Sequence, residues 1–174
     1  MMDVSEAITG RRSIRAFKRE NVSEEIVEKL VDAARWAPSA GNIQPWEFII
    51  IRETRIKRKL ANAALNQTFI EEAPVVIVIC ACEILSSQRY GDRGKELYCL
   101  QDTAAAVQNL LLLAYSFGLG TCWVGAFKEE EVRETLRVPD GTRPVAIVPV
   151  GFPAETPQPR RRKPVKEISH HEVF

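Results

Sequence analysis

Hydrophobic residues recur at helical spacing in several stretches of the chain. Apolar positions three and four residues apart lie on one face of an α-helix, so each such stretch predicts a helix with one buried face. Ser23 precedes one stretch and is a suitable N-cap, because its hydroxyl can accept from a free backbone N–H of the first turn. The predicted helices cover residues 4–9, 24–34, 54–65, 98–117 and 129–136.

Runs of β-branched and other apolar residues separate these helices and predict strands at 47–52, 75–82 and 144–151. The run 75–82 is apolar at every position, which is typical of a strand covered on both faces. Taken alone, such strands favour a parallel sheet. The polar, glycine-bearing segment 86–94 instead predicts a mobile loop and a candidate lid.

The predicted helix 98–117 is apolar nearly all round. A helix of this kind is buried on most of its sides, and so short a chain offers few elements to cover it. We therefore expect it to pack against a second subunit as well as its own sheet, in a homodimer. Asp102, near its start, is predicted to be a structural carboxylate with an N–H or arginine partner, and a catalytic role is the alternative.

A polar loop at 38–44 joins a helix to a strand. Pro45 lacks a backbone donor and disfavours helix at Gln44, while Gly41 and Asn42 tolerate positive φ. Such a loop can turn backbone amides and polar side chains toward one side, where they would recognise a flat ligand with polar edges. The alternative is an ordinary connection with no further role.

Two basic clusters lie near opposite ends of the chain, Arg11 to Arg15 and Arg160 to Lys163. Guanidinium groups stay charged and pair with two phosphate oxygens at once, so the clusters predict a phosphate clamp if they converge. The alternatives are a solvated basic turn at the first cluster and a nuclear signal or nucleic-acid patch at the second. No matching basic face or aromatic platform accompanies the second cluster.

The composition is that of one globular domain, residues 1–174, with a substantial core. It contains 45% hydrophobic and 27% charged residues and carries a formal net charge of +1. This balance gives no support for nucleic-acid or anionic-membrane binding. The first residues carry no apolar signal segment, and no run is long enough to span a membrane, so a cytoplasmic protein is expected.

Candidate catalytic side chains are scarce. The only histidines are His170 and His171, and no nucleophile–base pair or paired carboxylates stand out. The four cysteines lie in apolar segments and lack further ligands at metal-binding spacing, so structural thiols are predicted. The GLG at 118–120 follows a helix and lacks a third glycine, which argues against a dinucleotide-binding motif.

Four ordered blocks resemble the nitroreductase family of flavoproteins. They read RRSIRAF, APSAGNIQPWEFIII, GLGTCWVGAF and PVGFPAETPQPRRRKPVKE, and the resemblance extends from about Val4 to His170. It implies an α+β, three-layer α/β/α fold with a mainly antiparallel sheet and a long buried central helix. It also implies a homodimer that binds FMN in clefts at the subunit interface.

Site residues follow from the resemblance by position. The first block matches the phosphate and ribityl site, the arginine pair near the end closes on the same phosphate, and the loop lines the flavin from the other subunit. An amide at Gln67, or at its neighbour Asn66, faces the pyrimidine edge, and a backbone N–H at Gly125 or Ala126 faces the reactive edge. The residues implied to bind cofactor are Arg11, Arg12, Ser13, Arg15, Pro38, Ser39, Ala40, Asn42, Gln44, Gln67, Gly125, Ala126, Arg160 and Arg162.

The resemblance implies a ping-pong oxidoreductase with FMN as bound cofactor and NAD(P)H as co-substrate. Hydride passes from NAD(P)H to the flavin and on to a nitroaromatic, a quinone or another small acceptor. No metal and no catalytic side chain is implied, because the flavin carries the chemistry. The alternatives are a flavin-binding sensor or carrier without nicotinamide turnover, and a specialised reaction such as reductive dehalogenation.

Overall fold

The computed structural model describes residues 2–174. Its sheet has the strand order β1-β2-β4-β3, and every neighbouring pair is antiparallel. The parallel sheet favoured by the strand pattern alone is therefore wrong, and the antiparallel sheet implied by the family resemblance is confirmed. The strands are β1 (Trp46–Ile51), β2 (Val75–Cys82), β3 (Gly120–Thr121) and β4 (Thr142–Gly151).

Helices occupy the positions that the apolar spacing predicts, and two further helices, at 69–72 and 83–93, were not predicted. Ser23 caps the second helix, since its hydroxyl accepts from the N–H of Ile26 at 3.3 Å. No helix within residues 2–174 combines the length and apolar character needed to cross a membrane. The helices are α1 (Val4–Gly10), α2 (Glu24–Arg35), α3 (Thr54–Ala63), α4 (Phe69–Glu72), α5 (Glu83–Arg93), α6 (Cys99–Ser116) and α7 (Glu129–Leu136).

Helices cover both faces of the sheet and give three layers, as expected. Successive side chains of β2 point to opposite faces, so one strand serves two cores. Val75 and Ile77 pack with residues of α2 and α6, while Val76 and Val78 pack with residues of α3, α4 and α7. Burial on both faces thus accounts for the unbroken apolar run in β2.

The long helix α6 contributes to the first core through Val107, Leu110 and Ala114, which are fully buried. A different stripe of the helix stays partly or fully open within one chain. It consists of Gln101, Ala104, Gln108, Leu112 and Tyr115. The prediction of a long, largely buried central helix is confirmed, and its remaining open face is available for packing in an assembly.

The segment 86–94 is helical, so the predicted loop is wrong, while its mobility and its role as a lid stay predictions. Residues up to Arg93 belong to α5, and Gly94–Tyr98 forms a wider π-helical turn that leads into α6. Buried Ser86 and Gly94 permit close packing here, because a Cβ on Gly94 would lie 2.2 Å from the Ser86 carbonyl oxygen. Small residues at the contact, in place of an apolar stripe, account for the misreading.

Candidate functional site

A basic cavity of about 710 Å³ lies where α1 ends and the first basic cluster begins. This volume is within the range of about 300–1,000 Å³ that is usual for small-molecule sites. Its walls come from the beginning and the end of the chain. They are formed by Ile8, Thr9, Arg11, Arg12, Ser13, Arg15, Glu155, Pro157, Gln158, Arg160 and Arg162.

The first basic cluster is held by the residue between its arginines. Ile14 is buried, and its backbone N–H donates to the Thr121 carbonyl oxygen at 2.9 Å. Gly120 allows this approach, because a Cβ there would lie 2.8 Å from the Ile14 side chain. Anchoring Ile14 inward leaves Ser13 and Arg15, on either side of it, at the cavity wall.

The C-terminal segment pairs with the chain just after this cluster. The Lys18 N–H donates to the Phe152 carbonyl oxygen, and the Ala154 N–H donates to the Ala16 carbonyl oxygen, both at 2.9 Å. This pairing directs the following residues over the cavity, so Arg160 and Arg162 line it together with Arg11. The structure therefore brings the two predicted clusters into one site.

The charges of the cavity are poorly compensated. Burial and the neighbouring positive charges of Arg162 and Arg12 lower the pKa of the Arg11 guanidinium. Within residues 2–174, none of the arginine guanidinium groups that line the cavity has a nitrogen within 4.0 Å of a carboxylate oxygen, although guanidinium groups elsewhere form such ion pairs. Unpaired guanidinium groups around a cavity form a site for an anion with several acceptor oxygens, such as a phosphate.

Arg12 is engaged differently from the other arginines. Its Nη1 donates to the Thr9 carbonyl oxygen at 2.6 Å and to the Arg11 carbonyl oxygen at 2.9 Å. A cation at this place satisfies carbonyl groups at the C-terminal end of α1. Arg12 therefore shapes the cavity wall and adds positive charge while its guanidinium is partly committed to the backbone.

Two separate contacts mark a path from the basic cavity to an exposed backbone segment. The Arg15 guanidinium lies over the Phe69 ring, 5.9 Å from its centroid. Two residues earlier, the Gln67 side-chain amide donates to the Ala126 carbonyl oxygen at 3.3 Å. Gly125 and Ala126 are exposed. Of the two amides considered, Gln67 is the one that the structure joins to this segment.

The predicted polar loop has the unusual backbone that its sequence indicates. Gly41 and Asn42 have φ values of 56° and 57°, and Gln44 also has a positive φ of 55°. The Gln44 N–H donates to the Ser39 hydroxyl at 3.0 Å. Within one chain, this loop lies outside the walls of the basic cavity. Pro38, Ser39, Ala40, Asn42 and Gln44 are thus gathered with one another and apart from the arginines.

Asp102 fixes this loop to α6. The Ala40 N–H donates to both carboxylate oxygens of Asp102, which lie 3.1 and 3.2 Å from the Ala40 nitrogen. Burial raises the pKa of the Asp102 carboxyl, and the Ala40 N–H opposes this shift. The predicted role as a structural carboxylate with an N–H partner is confirmed.

Two substitutions of Asp102 can distinguish the effect of its hydrogen bond on stability from the effect of its charge. D102L is expected to be less stable than D102N by about 1–3 kcal/mol, because only asparagine retains an acceptor for the Ala40 N–H. In the folded protein, the pKa of the Asp102 carboxyl lies above its ordinary value of 3.8. Asp102 therefore contributes most to the free energy of unfolding below pH 3.8, and this contribution declines as the pH rises through the folded-state pKa.

Urea unfolding of the wild type, D102N and D102L between pH 3 and pH 7 would measure both effects. The stability of the wild type relative to D102N should fall as the pH rises. Equal stability of D102L and D102N would show that the Ala40 contact contributes nothing measurable.

Comparison with known proteins identifies the family. The sequence model of the nitroreductase family matches residues 8–71 and 63–152, which together span most of the chain. The chain belongs to the nitroreductase family. A relative from Methanothermobacter thermautotrophicus, named provisionally as an NADH dehydrogenase/NAD(P)H nitroreductase, is 36% identical over 91% of this chain and 82% of its own length. An NADH dehydrogenase of Thermus thermophilus is 32% identical over 97% of this chain and 95% of its own length.

A solved oxidoreductase structure has the same architecture. The NADPH:FMN oxidoreductase from Vibrio harveyi, solved in complex with NAD+, superposes with a TM-score of 0.91 at 25% identity. The match covers 98% of this chain and 77% of the Vibrio protein. The same architecture is found in a structure from Parabacteroides distasonis that carries the provisional name NADH dehydrogenase/NAD(P)H nitroreductase, with a TM-score of 0.88 at 32% identity over 100% of both chains.

Two residues of the candidate site were missed by the sequence reasoning. Phe69 carries no motif, and only its contact with Arg15 connects it to the cavity. Glu155 is an acidic residue in the wall of an otherwise basic cavity. Glu155 lies in a proline-rich segment, where the sequence gives no indication of a binding role. The sequence does show that it is a single carboxylate shortly before an arginine cluster.

Proposed function

We propose that this nitroreductase is an FMN-dependent NAD(P)H oxidoreductase, built as a single domain, that passes hydride equivalents to a nitroaromatic, a quinone or another small acceptor. The observation that carries the proposal is the cavity lined by arginines without a carboxylate partner, from which this path leads to exposed backbone at Ala126. The name of the Vibrio relative, which includes FMN and NADPH, supports the same cofactor pair.

The donor set fits the phosphate end of FMN. A phosphate monoester carries a charge of roughly −1.5 to −2 and presents three acceptor oxygens. Arg11, Arg15 and Arg162 offer charged donors from both sides of the cavity, and the Ser13 hydroxyl offers a further one. Arg160 and Arg12 add positive potential, so the proposed clamp acts on the phosphate and leaves the ring system for other residues.

The ring end of the proposed site lies along the path from Phe69 to Ala126. The Gln67 side chain is oriented by its bonds to the carbonyl oxygens of Ala64 and Ala126, and in the proposal its amide faces the pyrimidine edge. The exposed backbone N–H groups at Gly125 and Ala126 would donate to the reactive edge. When bound, FMN supplies hydride acceptance from NAD(P)H and delivery of electrons to the second substrate, in a ping-pong sequence.

A homodimer completes this arrangement in the proposal. The loop 38–44 lies outside the basic cavity of its own chain, and the open stripe of α6 offers a face for a second copy. Packing of two chains across α6 would let the loop of one chain reach the flavin held by the other. The four cysteines are unpaired, which suits the reducing cytoplasm as the place of action.

Anaerobic reduction tests the function. Purified protein reconstituted with FMN is mixed in a stopped-flow instrument with NADH or NADPH, and reoxidation is then followed with nitroaromatic and quinone acceptors. Bleaching of the bound flavin on the catalytic timescale, followed by reoxidation by an acceptor, is expected. Protein that gains no flavin on incubation with FMN would overturn the proposal, and flavin that binds but is not reduced would favour a sensor or carrier.

A further inference from the structure

Glu155 is the one acidic residue in the wall of the basic cavity. Its carboxylate accepts from two consecutive backbone donors of the first basic cluster, the N–H groups of Arg15 and Ala16. The Ala16 contact measures 3.2 Å, and no guanidinium group of the cavity lies within ion-pair distance of this carboxylate. The negative charge of Glu155 is thus stabilised by backbone amides, and the guanidinium groups are left without a carboxylate partner.

Glu155 lies at the last point where the C-terminal segment is fastened to the body of the chain. The backbone pairing that begins at Phe152 ends with the Ala154 N–H. Beyond Glu155, in residues 156–174, the hydrogen bonds that the structure describes are local to that segment. Arg160 and Arg162 therefore belong to a segment, residues 156–162, which we call the arm. The arm is attached to the rest of the chain at the Glu155 contact.

Two opposite effects on a phosphate follow from this geometry. Through its hydrogen bonds, Glu155 keeps the arm close to Arg15. This favours binding of one anion by arginines on both sides of the cavity. As a negative charge, the same carboxylate repels an anion in the cavity. A glutamine keeps the acceptor oxygen and loses the charge, while an alanine loses both, so substitutions can separate the two effects.

We propose that Glu155 is a positioning residue that fastens the C-terminal arm to the Arg15–Ala16 backbone and thereby places Arg160 and Arg162 over the phosphate of the bound flavin. This inference rests on the proposed function for the identity of the ligand. The fastening itself is a property of the protein alone. Its functional consequence is preference for a phosphorylated flavin over the same ring system without a phosphate.

The first test needs no ligand. Hydrogen exchange of the Arg15 and Ala16 amides, measured by NMR, reports whether the carboxylate protects them. We expect faster exchange at these two amides in E155A and near wild-type exchange in E155Q. E167A, which removes an exposed acid further along the chain, is the matched control and should leave both amides unchanged.

The second test measures the Kd of FMN and of riboflavin for the same variants. In E155A, FMN should bind about tenfold more weakly while riboflavin binds as before, so the preference for FMN falls about tenfold. In E155Q, the preference should equal or exceed that of the wild type, because the acceptor remains and the repulsive charge is gone.

Several outcomes would overturn the proposal. If E155A and E155Q strengthen FMN binding equally, Glu155 acts through its charge alone. If E155A weakens FMN and riboflavin equally, or exchange at Arg15 and Ala16 is unchanged, the arm is not positioned by this contact. If wild-type protein binds neither flavin, the proposed function fails separately, and the exchange comparison still decides whether Glu155 fastens the arm.

Discussion

Replacing Arg11 by alanine is expected to raise the Kd for FMN about 10- to 150-fold. This corresponds to about 1.5–3 kcal/mol, the scale of a hydrogen bond to a charged group. The Arg11 guanidinium is half-buried, lies near the positive charges of Arg162 and Arg12, and has no carboxylate partner. The phosphate of the ligand would therefore be the main negative charge that stabilises it. R162A should show a loss of the same order, because Arg162 faces the same anion from the arm.

Fluorescence titration of apo-protein with FMN measures both losses. Arg161 provides the matched control, since it is exposed, adjacent to Arg162 in sequence and absent from the cavity wall. R161A should bind FMN nearly as tightly as the wild type. A loss in R161A as large as in R162A would assign the effect to overall charge, and unchanged affinity in R11A and R162A would reject the clamp.

Replacing Leu110 by alanine is expected to destabilise the fold by about 2–5 kcal/mol. The side chain is fully buried in the core between α6 and the sheet, so its removal loses transfer free energy and leaves a cavity. Urea unfolding monitored by circular dichroism gives the free-energy change. A loss below about 1 kcal/mol would show that the core between α6 and the sheet can collapse around the smaller side chain.

Leu112 offers the same substitution on the open stripe of α6. L112A should unfold at nearly the wild-type urea concentration when the protein is dilute, because Leu112 is only half-buried in one chain. If the stripe packs against a second copy, L112A should also shift sedimentation from dimer toward monomer. A wild-type mass equal to one chain at every concentration would contradict the proposed homodimer.

The helices and most strands could be predicted from the sequence because their signals are local. The Ser23 cap and the apolar spacing of α2 each depend on residues a few positions apart, as does the positive φ predicted at Gly41. The direction of the strands is different. An apolar residue at every position of β2 reports burial on both faces, and this burial is the same whether the neighbouring strands run parallel or antiparallel.

The candidate site was predictable in its chemistry and only partly in its geometry. Arginine clusters indicate an anion wherever they lie, but their convergence depends on pairing between residues 16–18 and 152–154, which are far apart in sequence. The pairing uses backbone groups and so leaves no mark in side-chain type. The contact of Glu155 was missed because its two partners are backbone amides, which no sequence pattern marks.

The double-faced strand β2 has a consequence for how the chain finds its alignment. When both faces are apolar, sliding the strand by one residue still buries every side chain, so hydrophobicity alone does not distinguish one alignment from the next. Polar contacts near its ends do so. The buried Lys57 ammonium donates to the Ala73 carbonyl oxygen just before β2, and the Cys82 N–H donates to the Pro45 carbonyl oxygen at its far end, at 2.5 and 2.8 Å. Both bonds join the ends of β2 to specific partners outside the strand, so a slip of β2 by one residue would break them.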